Sequence, residues 1–402
     1  MMVSAHPSAT LVEIMMTRAR LASQAVLNVP GLEFTYNGRG ALLRACQEIA
    51  HAGKRNILLP AYHCPSGITP AILAGLNPVF YRIRRDLSID FDDLRAKVDA
   101  NTAAILVIHY FGIASDLHPL QVLREGGVAL IEDWSHSFLQ GTLPALSGGD
   151  SDYRIYSFWK LAPLAVGGGL WRRRNAYAHP SLALPAPPLR ERVVRLKSLI
   201  EEALNHSNHT VTRAVFLRLE AMRMAWRRHA SPQVTRIETS LLPGEAHYPF
   251  DLNLANCRMP GLSRRILEAC DFLSLTQKRR DNFNRYVQYL RPSDQLKVLH
   301  PALPPETCPW AFPVLLQQRS EIDHHWRAAG VGLYTFGIYL HSALFKNTDA
   351  TTIADAKYLS QHLLCLSIHQ RISAVQIKFS ADIINRTLMR SRSEHTSQVF
   401  FA

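Results

Sequence analysis

The stretch NILLPAYHCPSGITPAILAGLNPVFYRI, Asn56 to Ile83, holds two short apolar runs around a segment of helical period. NILLP (Asn56–Pro60) and PVFYRI (Pro78–Ile83) are nearly continuous in apolar character, as strands covered on both faces are. Between them SGITPAILAGL spaces its apolar residues as a helix does and ends near a glycine. The same rhythm extends in both directions. AAILVI (Ala103–Ile108) and VALIED (Val128–Asp133) read as further strands, and GALLRACQEIAHAG and HPLQVLREGG as helices. Strands alternating with helices predict an α/β fold, a three-layer αβα sandwich around a mostly parallel sheet.

Beyond Pro180 the pattern changes. PSLALPAPP is a Pro-rich connector. LRERVVRLKSLIEEALN and VTRAVFLRLEAMRMAWRRH follow as long basic amphipathic helices, an insert at about 186–232. From Gly261, helical period in LSRRILEACDFLSLTQKRRDNFNRYVQYL gives way to the apolar runs WAFPVLLQ and VGLYTF, and TIADAKYLSQHLLCLSI reads as a last helix. This predicts a large α/β domain over 1–250 and a smaller C-terminal α+β domain over 251–402.

The 402 residues suffice for two such domains. No apolar run approaches the roughly 18 residues of a membrane helix. The opening residues lack the basic start and apolar core of a secretory signal. The six cysteines show no close pairing, which fits a reduced cytoplasm. DHHW (Asp323–Trp326) has no second cluster at ligand spacing, so no metal site is expected. A net charge of +13 would suit nucleic acid, a membrane surface or small anions. No nucleic-acid-binding motif is present, which leaves anionic small molecules, or an anionic membrane or partner for the basic insert.

In open α/β sheets ligands sit beyond the carboxyl ends of the strands. TYNGRGALLRACQEI places Asn37-Gly38-Arg39-Gly40 at a helix start, where free N–H groups make an anion site. LIEDWSHSF ends a strand in Glu132 and Asp133, with His136 three residues on. YSFWKLAPLAVGGGLW carries one charge, Lys160, among rings and glycines, and follows a strand that ends near Ser157. Desolvation there would lower the lysine's pKa and favour Schiff-base chemistry with an aldehyde. An anion cradle, a strand-end carboxylate and a lysine, in that order, suit pyridoxal phosphate: phosphate in the cradle, Asp133 at the pyridine nitrogen, Lys160 at the aldehyde.

These segments resemble the DegT/DnrJ/StrS sugar aminotransferases, within the fold-type I pyridoxal-phosphate enzymes. NGRGALLRA is similar to the family's helix start, and VIHYFGIASDL to its V-H-x-x-G-x-x-x-D. IEDWSHSF is similar to I-E-D-x-x-Q/H, SGGDSDYRIYSF to G-x-x-G-D…F-S-F, and LANCRMPGLS to N-x-R-M. The resemblance implies Lys160 as the Schiff-base lysine, Asp133 at the ring nitrogen and His136 beside the ring. It implies Ser157 and the backbone of Gly38 and Arg39 at the phosphate, and the loop Tyr62-His63-Cys64 over the ring face, with Tyr62 or His63 in place of the usual aromatic. It also implies a homodimer with shared sites, in which Asn256 or Arg258 reaches the neighbour's phosphate. The link from Ser157 to Lys160 is three residues where the family has five. The spacing from Lys160 to Gly167-Gly168 is kept.

The implied function is transfer of an amino group from an amino-acid donor such as glutamate to a keto group, that of a nucleotide-linked sugar. The alternatives are a sugar dehydratase or lyase using the same cofactor, and a catalytically silent binding protein of this fold.

Overall fold

The computed structural model describes residues 2–15, 18–124, 126–140, 143–144, 150–173, 183–205, 250–291 and 293–399. A seven-stranded sheet lies at its centre. The strands are β1 (Leu32–Thr35), β2 (Asn56–Pro60), β3 (Asn77–Tyr81), β4 (Thr102–Ile108), β5 (Ala129–Trp134), β8 (Tyr153–Ser157) and β9 (Gly168–Arg172). Between β5 and β8 sits a small hairpin, β6 (Leu139–Gln140) with β7 (Leu143–Pro144). The order across the sheet is β1-β9-β8-β5-β4-β2-β3. Strands β3, β2, β4, β5 and β8 are mutually parallel, and β9 runs antiparallel to both β8 and β1. All seven residues of β4 and all five of β8 are buried, which is why β4 reads as a nearly unbroken apolar run, while β8 buries Arg154 against Glu132.

The parallel strands bring the segments after β2, β4, β5 and β8 to one edge of the sheet. The antiparallel pair delivers the start of β9 and the end of β1 to the same edge, with Gly168 registered against both Thr35 and Ser157. There the helix Gly38–Ala50 begins. Asn37 caps it by accepting the Gly40 N–H at 2.9 Å. Gly168 is required by close approach: a Cβ on it would lie 2.2 Å from the Asn37 carbonyl carbon. The helix buries Ala41, Leu42, Ala45, Cys46 and Ile49 in the main core.

A second sheet, antiparallel throughout, has the order β10-β11-β13-β12, from β10 (Leu296–Val298), β11 (Ala311–Leu316), β12 (Leu333–Tyr334) and β13 (Leu363–Ser367). Its own core gathers Phe283, Tyr286, Phe312, Trp326, Leu364, Leu366 and Ile384. The segment Val3–His6 packs on this sheet rather than the large one. Val3 N–H donates to Gly330 O, and Ser367 Oγ donates to Ala5 O.

Several expectations are corrected. HPLQVLREGG is not a helix but two 3-10 turns, His118–Leu120 and Val122–Arg124, with Leu120 the buried residue among them. SGITPAILAGL is a 3-10 turn and a short helix, Thr69–Leu73, with Pro70 in its first turn. TIADAKYLSQHLLCLSI is helix only to His362 and then becomes β13. The final helix is Ala374–Val399. The basic helix Leu189–Asn205 forms as expected, while VTRAVFLRLEAMRMAWRRH lies outside the described residues. All six cysteines are free. No helix among the described residues is long and apolar enough to cross a membrane.

Candidate active site

The site is built at the carboxyl edge of the large sheet, where the start of β11 from the second sheet closes over it. Alternation along β5 sends Glu132 and Asp133 to opposite faces. Asp133 faces the site, and its Oδ1 accepts the Ser135 N–H at 2.8 Å. One 3-10 turn after β8, Phe158–Lys160, delivers Lys160. Its side chain is half-buried, with Nζ 4.9 Å from the centroid of the Trp310 ring. Burial pushes the Lys160 amine below its ordinary value, and the nearby Asp133 and Cys64 oppose that shift. The short link from Ser157 is therefore spanned by a single tight turn.

His136 is buried beside this lysine. Its ring stacks on Trp310 at 4.4 Å and meets Phe336 edge-on at 4.7 Å. Its Nδ1 accepts the Phe111 backbone N–H at 3.1 Å. Phe111 holds a left-handed backbone, φ 57°, followed by Gly112 at φ 89°. This conformation is strained for a residue with a side chain. It is held by the Trp310 N–H, which donates to Phe111 O at 2.8 Å. A Cβ on Gly112 would also meet Cys308 O at 2.4 Å. Because Nδ1 is an acceptor, the neutral ring carries its proton on Nε2. Burial, and then Lys160, pull the His136 pKa well down. The ring is expected to stay neutral at the ~6.5 where an exposed histidine is half protonated. Nitrogen NMR of the labelled protein checks this; an imidazolium signal from His136 at that pH would contradict it.

On the other face of β5, Glu132 ties the edge together. Its carboxylate accepts from His109 Nε2 (2.9 Å), Trp134 Nε1 (2.8 Å) and Arg154 Nε (3.0 Å). Burial raises its pKa, but these partners outweigh that and bring it down to about 2.

The expected phosphate residues come together in part. A Cβ on Gly38 would lie 3.1 Å from Tyr156 O, 3.5 Å from Ser157 Cβ and 3.6 Å from Ser135 Oγ. A helix start and two serines make a small anion cradle. Arg39 directs its guanidinium to within 5.8 Å of the Phe250 ring. The aromatic loop differs from expectation. Tyr62 is buried, with its hydroxyl on Phe336 O at 2.5 Å, and His63 is buried against Phe80 with Nδ1 on Pro60 O. Burial lowers the His63 pKa to about 4. The residue of this loop that acts electrostatically on Lys160 is Cys64. Asn256 and Arg258 are exposed; Asn256 bonds Leu252 O, and the Arg258 backbone bridges Thr35. Sequence reading missed Phe111, whose role lies in its backbone angle, and Trp310 and Phe336, whose only signal was aromatic character far along the chain.

The geometry fits pyridoxal phosphate. A side chain at residue 38 would crowd the cradle, its Cβ only 3.1 Å from Tyr156 O, and the cradle, Asp133 and Lys160 lie at one sheet edge.

The fold is that of solved sugar aminotransferases. The aminotransferase TlmJ from Streptoalloteichus hindustanus matches with a TM-score of 0.64 at 18% identity, covering 98% of this chain and 100% of that one. Helicobacter pylori PseC, an aminotransferase involved in the biosynthesis of pseudoaminic acid, matches with a TM-score of 0.63 at 16% identity, covering 97% and 99%. In sequence, residues 34–171 match the DegT/DnrJ/EryC1/StrS aminotransferase family, the family that the motifs pointed to. A GDP-perosamine synthase of Vibrio cholerae is 25% identical over 135 residues, 33% of this chain. That match spans 37% of the relative's own length. The family likeness thus covers the stretch from β1 to β9, which carries Gly38, Asp133, His136, Ser157 and Lys160.

Proposed function

We propose that this protein is a pyridoxal-phosphate-dependent aminotransferase. It moves an amino group from an amino-acid donor, such as glutamate, to the keto group of a nucleotide-linked sugar. The observation that carries this reading is Lys160, half-buried with a lowered pKa, beside Asp133 and the cradle at Gly38.

When bound, pyridoxal phosphate supplies an electron sink for the bonds at the carbon bearing the amino group. The protein does the rest. The start of the helix Gly38–Ala50, with Ser135 and Ser157, takes the phosphate. Asp133 holds negative charge where a protonated pyridine nitrogen needs it. Lys160, its pKa lowered by burial, would hold the aldehyde and would move a proton at Nζ. Neutral His136, fixed through Nδ1, presents an Nε2–H donor. The Trp310 and Phe336 rings help to exclude water. The net charge of +13 suits an acceptor carrying phosphates.

The same reading takes residues 1–250 and 251–402 as two domains, the protein as cytoplasmic, and the working unit as a homodimer. In that dimer the exposed Asn256 and Arg258 serve the partner's site. The experiment is an absorbance spectrum of the purified protein before and after borohydride and, on a separate untreated sample, incubation with glutamate with and without a nucleotide-linked keto-sugar. A chromophore that borohydride bleaches, with 2-oxoglutarate limited to about one equivalent per site with glutamate alone and formed over many turnovers once the keto-sugar is present, is the expected result. A protein that takes up no pyridoxal phosphate would overturn the proposal.

A further inference from the structure

Arg279, on the helix Phe272–Tyr289, is completely buried. Among the described residues no carboxylate lies within ion-pair range of it. All its donors go to neutral oxygens instead. Nε donates to Gln370 Oε1 (3.0 Å), and Nη1 to Pro309 O (3.3 Å) and Trp310 O (3.0 Å). Nη2 donates to Lys160 O and Leu161 O, both at 3.4 Å. Gln370 completes the figure by donating from Nε2 to Leu161 O at 2.9 Å.

Burying an unpaired cation is costly, and burial does pull this guanidinium below its ordinary pKa. A helix–sheet contact needs no such group; a leucine or methionine would pack there at lower cost. What the planar fork does, and an apolar residue cannot, is bind five acceptors in fixed directions. Those acceptors belong to three separated segments: the turn that carries Lys160, the start of β11 that carries Trp310, and the segment after β13.

We infer that Arg279 is a positioning residue for Lys160: it fixes the Lys160 turn against the Trp310 strand so that Nζ is presented to the ring-binding space. This inference rests on the proposed role of Lys160. In the coupling step the free amine Nζ bonds to the cofactor's aldehyde carbon, and the carbonyl oxygen leaves as water with the two amine protons. Pyridoxamine phosphate offers the same phosphate and ring but no aldehyde, so it reports the binding space without the lysine.

The test compares full-length wild type with Arg279→Lys and with Gln370→Ala, which removes one brace while leaving the guanidinium and its four other acceptors in place. Two quantities are measured on each: the rate of covalent coupling of pyridoxal phosphate, from absorbance, and the affinity for pyridoxamine phosphate. The expected result is coupling slowed ~10-fold or more in Arg279→Lys, the order that a small misplacement of a reacting group costs. Gln370→Ala should show a smaller slowing in the same direction, and pyridoxamine phosphate affinity should stay within about twofold throughout. Unchanged coupling in both variants, or coupling and affinity falling together, would overturn the inference. If Arg279→Lys does not fold, the Gln370→Ala pair of measurements decides it alone. Failure of wild type to couple at all would instead remove the functional reading on which the inference stands.

Discussion

Replacing Lys160 with alanine is expected to abolish borohydride fixation of the cofactor while the protein still folds. Lys160 is held by its backbone turn, and its half-buried side chain makes no ion pair among the described residues. Its removal therefore costs little packing. The cradle at Gly38, Ser135 and Ser157 and the carboxylate of Asp133 remain, so non-covalent binding of pyridoxal phosphate persists. Amino transfer should fall ~10³-fold or more, the range found when a positioned proton-transfer group is lost. Mass spectrometry after borohydride reads the first effect, and 2-oxoglutarate release reads the second. Wild-type levels of fixed cofactor in Lys160→Ala would mean that another amine holds it.

The largest expected effect on stability lies one residue before Asp133. Glu132→Ala leaves Arg154 buried without its carboxylate and strips partners from His109 and Trp134. Breaking a buried pair on one side costs about 3–5 kcal/mol. At the usual unfolding entropy per residue, that lowers the melting temperature of a 402-residue chain by roughly 5 °C. The pH dependence has a definite sign. The folded-state pKa of Glu132 is depressed to about 2, so its contribution is complete above the ordinary carboxylate range and is lost as pH falls from there toward 2. The gap in melting temperature between wild type and Glu132→Gln should therefore be widest near neutrality and shrink on acidification. A gap that grows in acid would refute the assignment of a charged, paired Glu132.

The central strands were legible because burial on both faces leaves an unbroken apolar run: NILLP coincides with β2, and AAILVI lies within β4. What failed did so for physical reasons. Strand β1, LEFT, is short and carries Glu33, so it gives no such run; its place is set by pairing with β9, far along the chain. In TIADAKYLSQHLLCLSI no glycine or proline marks the passage from helix to strand at Leu363, and the apolar pattern runs through it. HPLQVLREGG has helical spacing but packs almost nothing, so no burial sustains a helix. Within the site, Asp133, His136 and Lys160 could be read locally because each lies at the end of a strand or within a few residues beyond it. Phe111 carries its role in a backbone angle, and Trp310 and Arg279 act from another sheet and its helix. No local pattern encodes either.

The way Val3–His6 sits on the small sheet has a consequence for how the chain is made. Ala5 O accepts from a serine 362 positions later, and Ser4 O meets a histidine 365 positions later. At ordinary elongation rates these residues leave the ribosome on the order of tens of seconds before their partners exist. The parallel sheet can form in that interval, while the early-made segment Val3–His6 waits unpaired for β13. The seal between the two would then be a late event of folding, and the nascent chain would be vulnerable to proteases at that waiting segment.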